Sequence, residues 1–144
     1  MFEKDAILSK ISIVSNCLAT IMKVTNGKKE SLDDIITQDV FVLNLQRSVQ
    51  ACIDLASIII STKGFKLPSK YKQSFDILRE NHIIDSSLAD KMKKMIGFRN
   101  IAVHDYKQLD INILKSILSN NLIDFEEFTK VILTYINSDK DFEI

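Results

Sequence analysis

The chain has 144 residues, a length that suits a single domain (1–144) with one core. Hydrophobic residues make up 46% and charged residues 26%, which excludes a disordered chain, and one proline with three glycines is too few for the turns of a sandwich or barrel. Formal net charge is zero, so no global basic field points to nucleic acid, and any such contact must use a local patch. Leu, Ile, Lys, Asp and Ser dominate, with apolar residues at helical spacing, so the expected fold class is all-α.

The first residues, Met1-Phe2-Glu3-Lys4-Asp5, carry two acids and no apolar stretch of the kind a signal peptide needs. No apolar run approaches the roughly 18 residues of a membrane span; the longest lies around Ile58-Ile59-Ile60. A cytoplasmic protein without membrane contact is expected. Cys17 and Cys52 are read as reduced, buried, small apolar residues. Two cysteines and two histidines, widely scattered, give no metal-ligand spacing, so neither a metal nor a cofactor is expected.

In chain order, the first helix is predicted from about Asp5 to Val24, with Ile7, Ile11, Val14, Leu18 and Ile21 on one stripe and Gly27 as its left-handed cap. Ser31 followed by Asp34 reads as the N-terminal signal of a second helix, extending to about Thr62 with a break near Gln38-Asp39. Val40-Phe41-Val42-Leu43 has strand-like composition but continues into Leu45, Val49, Cys52, Ala56 and Ile59 on one helical face. The opposite face, with Arg47, Gln50, Asp54, Ser57 and Ser61, either meets solvent or lines a site or subunit interface. Gly64 caps this helix, and Leu67-Pro68-Ser69 leads into a third, about Ser69 to Glu80, with Tyr71, Phe75 and Leu78 inward. His82, just past its end, is assigned a structural or surface role. Asp85 or Ser86 caps a fourth helix, about Ser87 to Val103. Asp110 caps a fifth, running to about Asn137 with a soft spot at Asn120-Asn121, and Ser138 to Ile144 are expected to fray. Short connections between about five helices imply an antiparallel up-and-down bundle.

The fourth helix breaks its own pattern. Leu88, Met92, Met95, Ile96 and Val103 form an apolar stripe, and Arg99 falls at its middle. A guanidinium there is costly unless it is paired or the stripe opens into a cleft. Both readings stand: pairing with a carboxylate such as Asp54, or a functional cleft. Phe98 and Ile101 lie on the flank that should face water, which suggests cover by the fifth helix or by a second subunit. Positions five apart on a helix diverge by about 140°. Arg99 and His104 therefore converge within one chain only if the helix ends near Val103 to Asp105 and His104 folds back from the loop.

Arginine binding phosphate beside a histidine titrating near neutrality suits metal-free phosphodiester cleavage. His104 would move the proton of a ribose hydroxyl or leaving oxygen, and Arg99 would hold the scissile phosphate. Lys91, Lys93, Lys94 and Lys107 add positive charge for an RNA backbone. Taken alone, an Arg and His pair in a helical protein is more often structural.

The run Arg99-Asn100-Ile101-Ala102-Val103-His104-Asp105-Tyr106 resembles the arginine–histidine–tyrosine signature of HEPN-domain toxins, specifically the HepT family. Asn44-Leu45-Gln46-Arg47 followed by Ala51-Cys52-Ile53-Asp54-Leu55-Ala56 is similar to that family's long second helix. The likeness spans nearly the whole chain. It implies a HEPN-like bundle acting as a metal-independent endoribonuclease toxin, with motifs from two subunits of a homodimer facing a shared cleft. It further implies Arg99 and His104 as catalytic residues, with Asn100 and Tyr106 in support. Lys91, Lys94 and Lys107 would contact the RNA backbone. The implied partner is an MntA-type nucleotidyltransferase antitoxin that transfers AMP onto Tyr106, where a bulky anion beside Arg99 and His104 would repel RNA. The competing readings are a non-catalytic HEPN-like subunit that binds and regulates such a nucleotidyltransferase, and a structural helical homodimer with Arg99 paired in the core.

Overall fold

The computed structural model describes residues 2–105 and 110–142, with side chains for all of these except 100–105. Six α-helices and no strand occur among the described residues. They are α1 (Phe2–Thr25), α2 (Ile35–Lys63), α3 (Tyr71–Glu80), α4 (Ser86–Asp105), α5 (Ile111–Asn120) and α6 (Leu122–Ser138). The all-α class and the bundle are as expected; the fifth expected helix is two, because the chain breaks at Asn121.

The helix ends follow local chemistry. Asn26 and Gly27, with φ of 54° and 71°, turn the chain out of α1. A 3₁₀ turn, Lys29–Asp33, then intervenes, so the N-cap of α2 is Asp34 rather than Ser31. Its carboxylate accepts the Thr37 N–H at 3.0 Å. The strand-like run at 40–43 is helical, and no break occurs at Gln38-Asp39. Gly64, with φ 69°, closes α2. Asp85 caps α4 by accepting the Leu88 N–H at 2.8 Å, and Asp110 caps α5 by accepting that of Asn112 at 2.8 Å.

The long helix α2 is the spine, packing on α1, α3, α4 and α6. Its apolar face (Leu45, Val49, Cys52, Ala56, Ile59) is buried, as are Ile7, Val14, Leu18 and Ile21 of α1. Phe75 and Phe128 meet edge-to-face in the centre, 5.5 Å apart. Cys17 and Cys52 are free and buried, and burial pushes both thiols up.

Three expectations need correction. Tyr71 is not a core residue: it is 51% exposed, whereas Phe75 and Leu78 are fully buried. Helix α3 starts at Tyr71, so this ring stands at the helix mouth, one turn outside the core stripe. The C-terminal segment does not fray up to Phe142: Lys140–Phe142 forms a 3₁₀ turn, Phe142 is fully buried against Tyr135, and Lys63 bonds Asp139 at 2.9 Å and Asp141 at 2.7 Å. Finally, α1 is long and apolar enough by composition to cross a membrane, although no single apolar run shows it. Here that helix lays its Ile7–Ile21 stripe into the bundle core beside α2.

Candidate functional site

Helix α4 carries the candidate site. Leu88, Met92, Met95 and Ile96 of its stripe are buried, and Phe98 is too (7% exposed). Phe98 faces α5 across a cavity of about 310 Å³ that Met95, Ile113 and Ile117 also line. Of the two covers anticipated for that flank, α5 supplies one. Ile101 and Val103 lie outside the described side chains.

Arg99 continues the stripe yet is only half-buried. Its Nη2 donates to Gln50 Oε1 at 3.0 Å, and its guanidinium carbon sits 5.4 Å from the centroid of the Tyr71 ring. Gln50 Nε2 in turn donates to Asp54 Oδ1 at 2.9 Å, and Lys10 pairs with Asp54 Oδ2 at 2.9 Å. The carboxylate anticipated as a partner for Arg99 is thus held by Lys10, with an amide standing between it and the guanidinium. The polar face of α2 flanks the arginine: Gln50 orients it, while Arg47 and Asp54 line a groove of about 510 Å³ between α1 and α2. Tyr71 lines a second cavity of about 600 Å³ at the start of α3. Arg99 therefore touches one residue of each lining, the Gln50 amide and the Tyr71 ring.

Helix α4 continues to Asp105, the far end of the expected range. Position 104 is therefore helical, about 140° around the axis from Arg99. The expected fold-back of His104 from a loop is not what the backbone does. The side chains of Asn100 and His104, and Tyr106 and Lys107 altogether, lie outside the described residues. Lys91 reaches toward α6, 3.5 Å from Glu127 and 4.0 Å from Asp124. Lys93 pairs with Asp76 at 2.9 Å, and that bond holds its ammonium above the usual lysine range. Lys94 is exposed and lines the cavity between α4 and α5. Lys70 and Lys72 of the α3 mouth line the second cavity beside Tyr71. The sequence reading passed over them because α3 looked like a plain core helix. His82, with φ 62°, sits in the exposed turn after α3. Among the described residues no three metal-ligating side chains converge.

Residues 14–132 match the family model described as "Ribonuclease HepT-like". The chain belongs to this HepT-like family. It is 39% identical over 128 residues to the mRNA nuclease HepT of Shewanella oneidensis, covering 89% of this chain and 96% of that one. It superposes with a TM-score of 0.85, at 39% identity, on the tri-AMPylated HEPN toxin of Shewanella oneidensis in complex with an MNT antitoxin. That match covers 90% of this chain and 98% of the toxin. A crystal structure of a toxin–antitoxin with AMP-PNP gives a TM-score of 0.86 at 38% identity, with the same coverage. The HepT-like membership accounts for the bundle, and it gives the Arg99-to-Tyr106 run a family context that spacing alone could not supply.

Proposed function

We propose that this protein is the ribonuclease toxin of a HepT-type toxin–antitoxin pair, a cytoplasmic enzyme that cleaves RNA at a cleft shared by two copies. The observation that carries the reading is the setting of Arg99: a half-exposed guanidinium on the apolar stripe of α4, in contact with Gln50, which lines the groove between α1 and α2, and with Tyr71, which lines the cavity at the start of α3. Its family membership and its likeness to an mRNA nuclease over most of its length support the substrate class.

In this mechanism Arg99 holds two oxygens of the scissile phosphate and stabilises the charge that builds on them. His104 takes the proton of the ribose 2′-hydroxyl, whose oxygen attacks the adjacent phosphorus. The 5′-oxygen leaves with a proton, and a 2′,3′-cyclic phosphate remains. No metal takes part. Asn100 and Tyr106 position the reacting groups, and Lys91, Lys94 and Lys107 add charge toward the RNA backbone. Because position 104 is helical and turned away from Arg99, the histidine that serves one Arg99 comes from the second copy. The partner is an MntA-type nucleotidyltransferase, which silences the toxin by moving AMP from ATP to the Tyr106 hydroxyl with release of pyrophosphate.

The test is RNA cleavage by the purified protein in EDTA, expected to be lost in Arg99→Ala and in His104→Ala. Undiminished cleavage by His104→Ala overturns the assignment. In parallel, intact mass after incubation with ATP and the nucleotidyltransferase should rise by whole AMP additions, and Tyr106→Phe should prevent them.

A further inference from the structure

We propose that the Tyr71 ring is a stacking platform for a nucleobase that flanks the scissile phosphate, and so sets which base is preferred there; this rests on the ribonuclease reading above. To be cut at one phosphate, a strand must have the adjoining nucleotides splayed and held. Proteins hold unstacked RNA bases chiefly on aromatic faces, and every base offers such a face.

The ring is open. Tyr71 is 51% exposed, and among the described aromatic side chains only Phe2, at the start of α1, is more so. Phe75 and Leu78, the next positions of the same α3 stripe, are fully buried. The ring is also at the site. The Arg99 guanidinium carbon stands 5.4 Å from its centroid. Arginine can rest on an aromatic face and bind a phosphate at once, because its N–H donors lie in the guanidinium plane. A phosphate held by Arg99 therefore has Tyr71 as its aromatic neighbour.

There is room for the base. Tyr71 lines the cavity of about 600 Å³ at the start of α3, within the range of small-ligand sites, and Pro68 and Ile96 are its apolar walls. Ile96 precedes Arg99 by three residues, one turn earlier on α4. An aromatic ring, a proline and an isoleucine suit the flat apolar face of a base rather than its charged backbone. A purine covers more of the ring than a pyrimidine, so purines are the preferred class at this position. Such a preference comes from stacking area and not from hydrogen-bond readout.

The test is a cycle between side chain and base. Wild type, Tyr71→Phe and Tyr71→Leu are assayed on a short RNA with one mapped cleavage site. The same RNA is then made with an abasic ribonucleotide, its 2′-hydroxyl kept, on either side of that site, and with purine and pyrimidine exchanged there. Thermal melts verify that each variant folds. On intact RNA, Tyr71→Leu should lower kcat/KM about tenfold, mainly through KM, and Tyr71→Phe, which keeps the ring, should stay within about twofold. On one side of the site the abasic substitution should cost wild type about tenfold and Tyr71→Leu less than about twofold, and the purine preference of about threefold should vanish in Tyr71→Leu. If wild type cuts no RNA, the ribonuclease reading falls and this inference with it. If wild type cuts RNA and Tyr71→Leu equals it on the intact strand, the inference alone falls. If Tyr71→Leu loses as much on both abasic RNAs as on intact RNA, the ring serves only to hold Arg99, and the stacking role is overturned.

Discussion

Gln50 separates the orientation of Arg99 from its charge. Its oxygen accepts from Arg99 at 3.0 Å and its nitrogen donates to Asp54 at 2.9 Å. Gln50→Met keeps the length of the side chain and removes both bonds. A hydrogen bond to a charged group contributes about 1.5–3 kcal/mol. Both partners here are half-buried, so the lower end applies, and about 1.4 kcal/mol corresponds to a tenfold loss in kcat/KM. Gln50→Glu preserves the geometry but sets a carboxylate against the guanidinium. Unit charges about 4 Å apart interact by about 1 kcal/mol in water and about 4 kcal/mol near a protein surface. The scissile phosphate must compete with that carboxylate, so a loss of roughly 100-fold, about 2.7 kcal/mol, is expected. Initial rates on a long RNA measure both variants, with thermal melts to verify folding. If Gln50→Glu cuts RNA as fast as wild type, Arg99 does not bind the phosphate. A Met variant slower than the Glu variant would show that orientation outweighs charge, contrary to the reasoning.

Three further outcomes follow from the packing. Phe75→Ala and Phe128→Ala each remove a fully buried ring from an edge-to-face pair; each should lose about 3–5 kcal/mol in urea unfolding, and the double variant should show a coupling of about 0.5–1.5 kcal/mol. Ser74→Ala removes a buried, unpartnered hydroxyl, so it should raise stability by about 1 kcal/mol; a lower melting temperature would mean that the hydroxyl is satisfied in the folded chain. The bond from Lys63 holds the Asp139 carboxyl below its usual range, and the bonds to Asp141 and Asp139 hold Lys63 above its own. The Asp139 contribution is present above about pH 3.9 and lost as pH falls through its lower folded value; that of Lys63 is present below about pH 10.4 and lost as pH rises through its folded value. Asp139→Asn should therefore be less stable than wild type at pH 7 and converge with it near pH 2; an equal deficit at both pH values would refute the pairing.

Helical periodicity made most of the fold legible. Ile7, Val14, Leu18 and Ile21 of α1, the apolar face of α2, and Leu88, Met92, Met95 and Ile96 of α4 are buried as their spacing requires, and Asp85, Asp110 and Gly64 end helices where their chemistry says they should. What failed was local context. Ser31 looked like a cap, but a 3₁₀ turn shifts the start of α2 to Asp34. Tyr71 carries the periodicity of a core residue but is the first residue of α3, where it stays half-exposed beneath the Arg99 guanidinium of α4. The C-terminal turn is held by Phe142 and by ion pairs to Lys63, far along the chain and invisible to any local window. Arg99 itself was legible as an anomaly on an apolar stripe. Its surroundings were not: Gln50 and Tyr71 come from two other helices and share no motif with it. A polar stripe on α2 at 47, 50, 54, 57 and 61 was the one signal available, and Gln50, Arg47 and Asp54 are the part of it that meets the site.

The helical state of position 104 gives the shared cleft a sharp test. If Arg99 and His104 of one chain acted together, mixing Arg99→Ala with His104→Ala protein would produce no intact pair. If each pair is drawn across a two-fold interface, a mixed dimer has one site with both residues and one with neither. Random exchange makes half of the dimers mixed, so cleavage should recover to about a quarter of the wild-type rate, from two proteins that are each inactive. Subunit exchange can be checked by native mass spectrometry with one variant isotope-labelled. Demonstrated exchange with no recovery would return both residues to a single chain, and would require His104 to leave the helix before it could act.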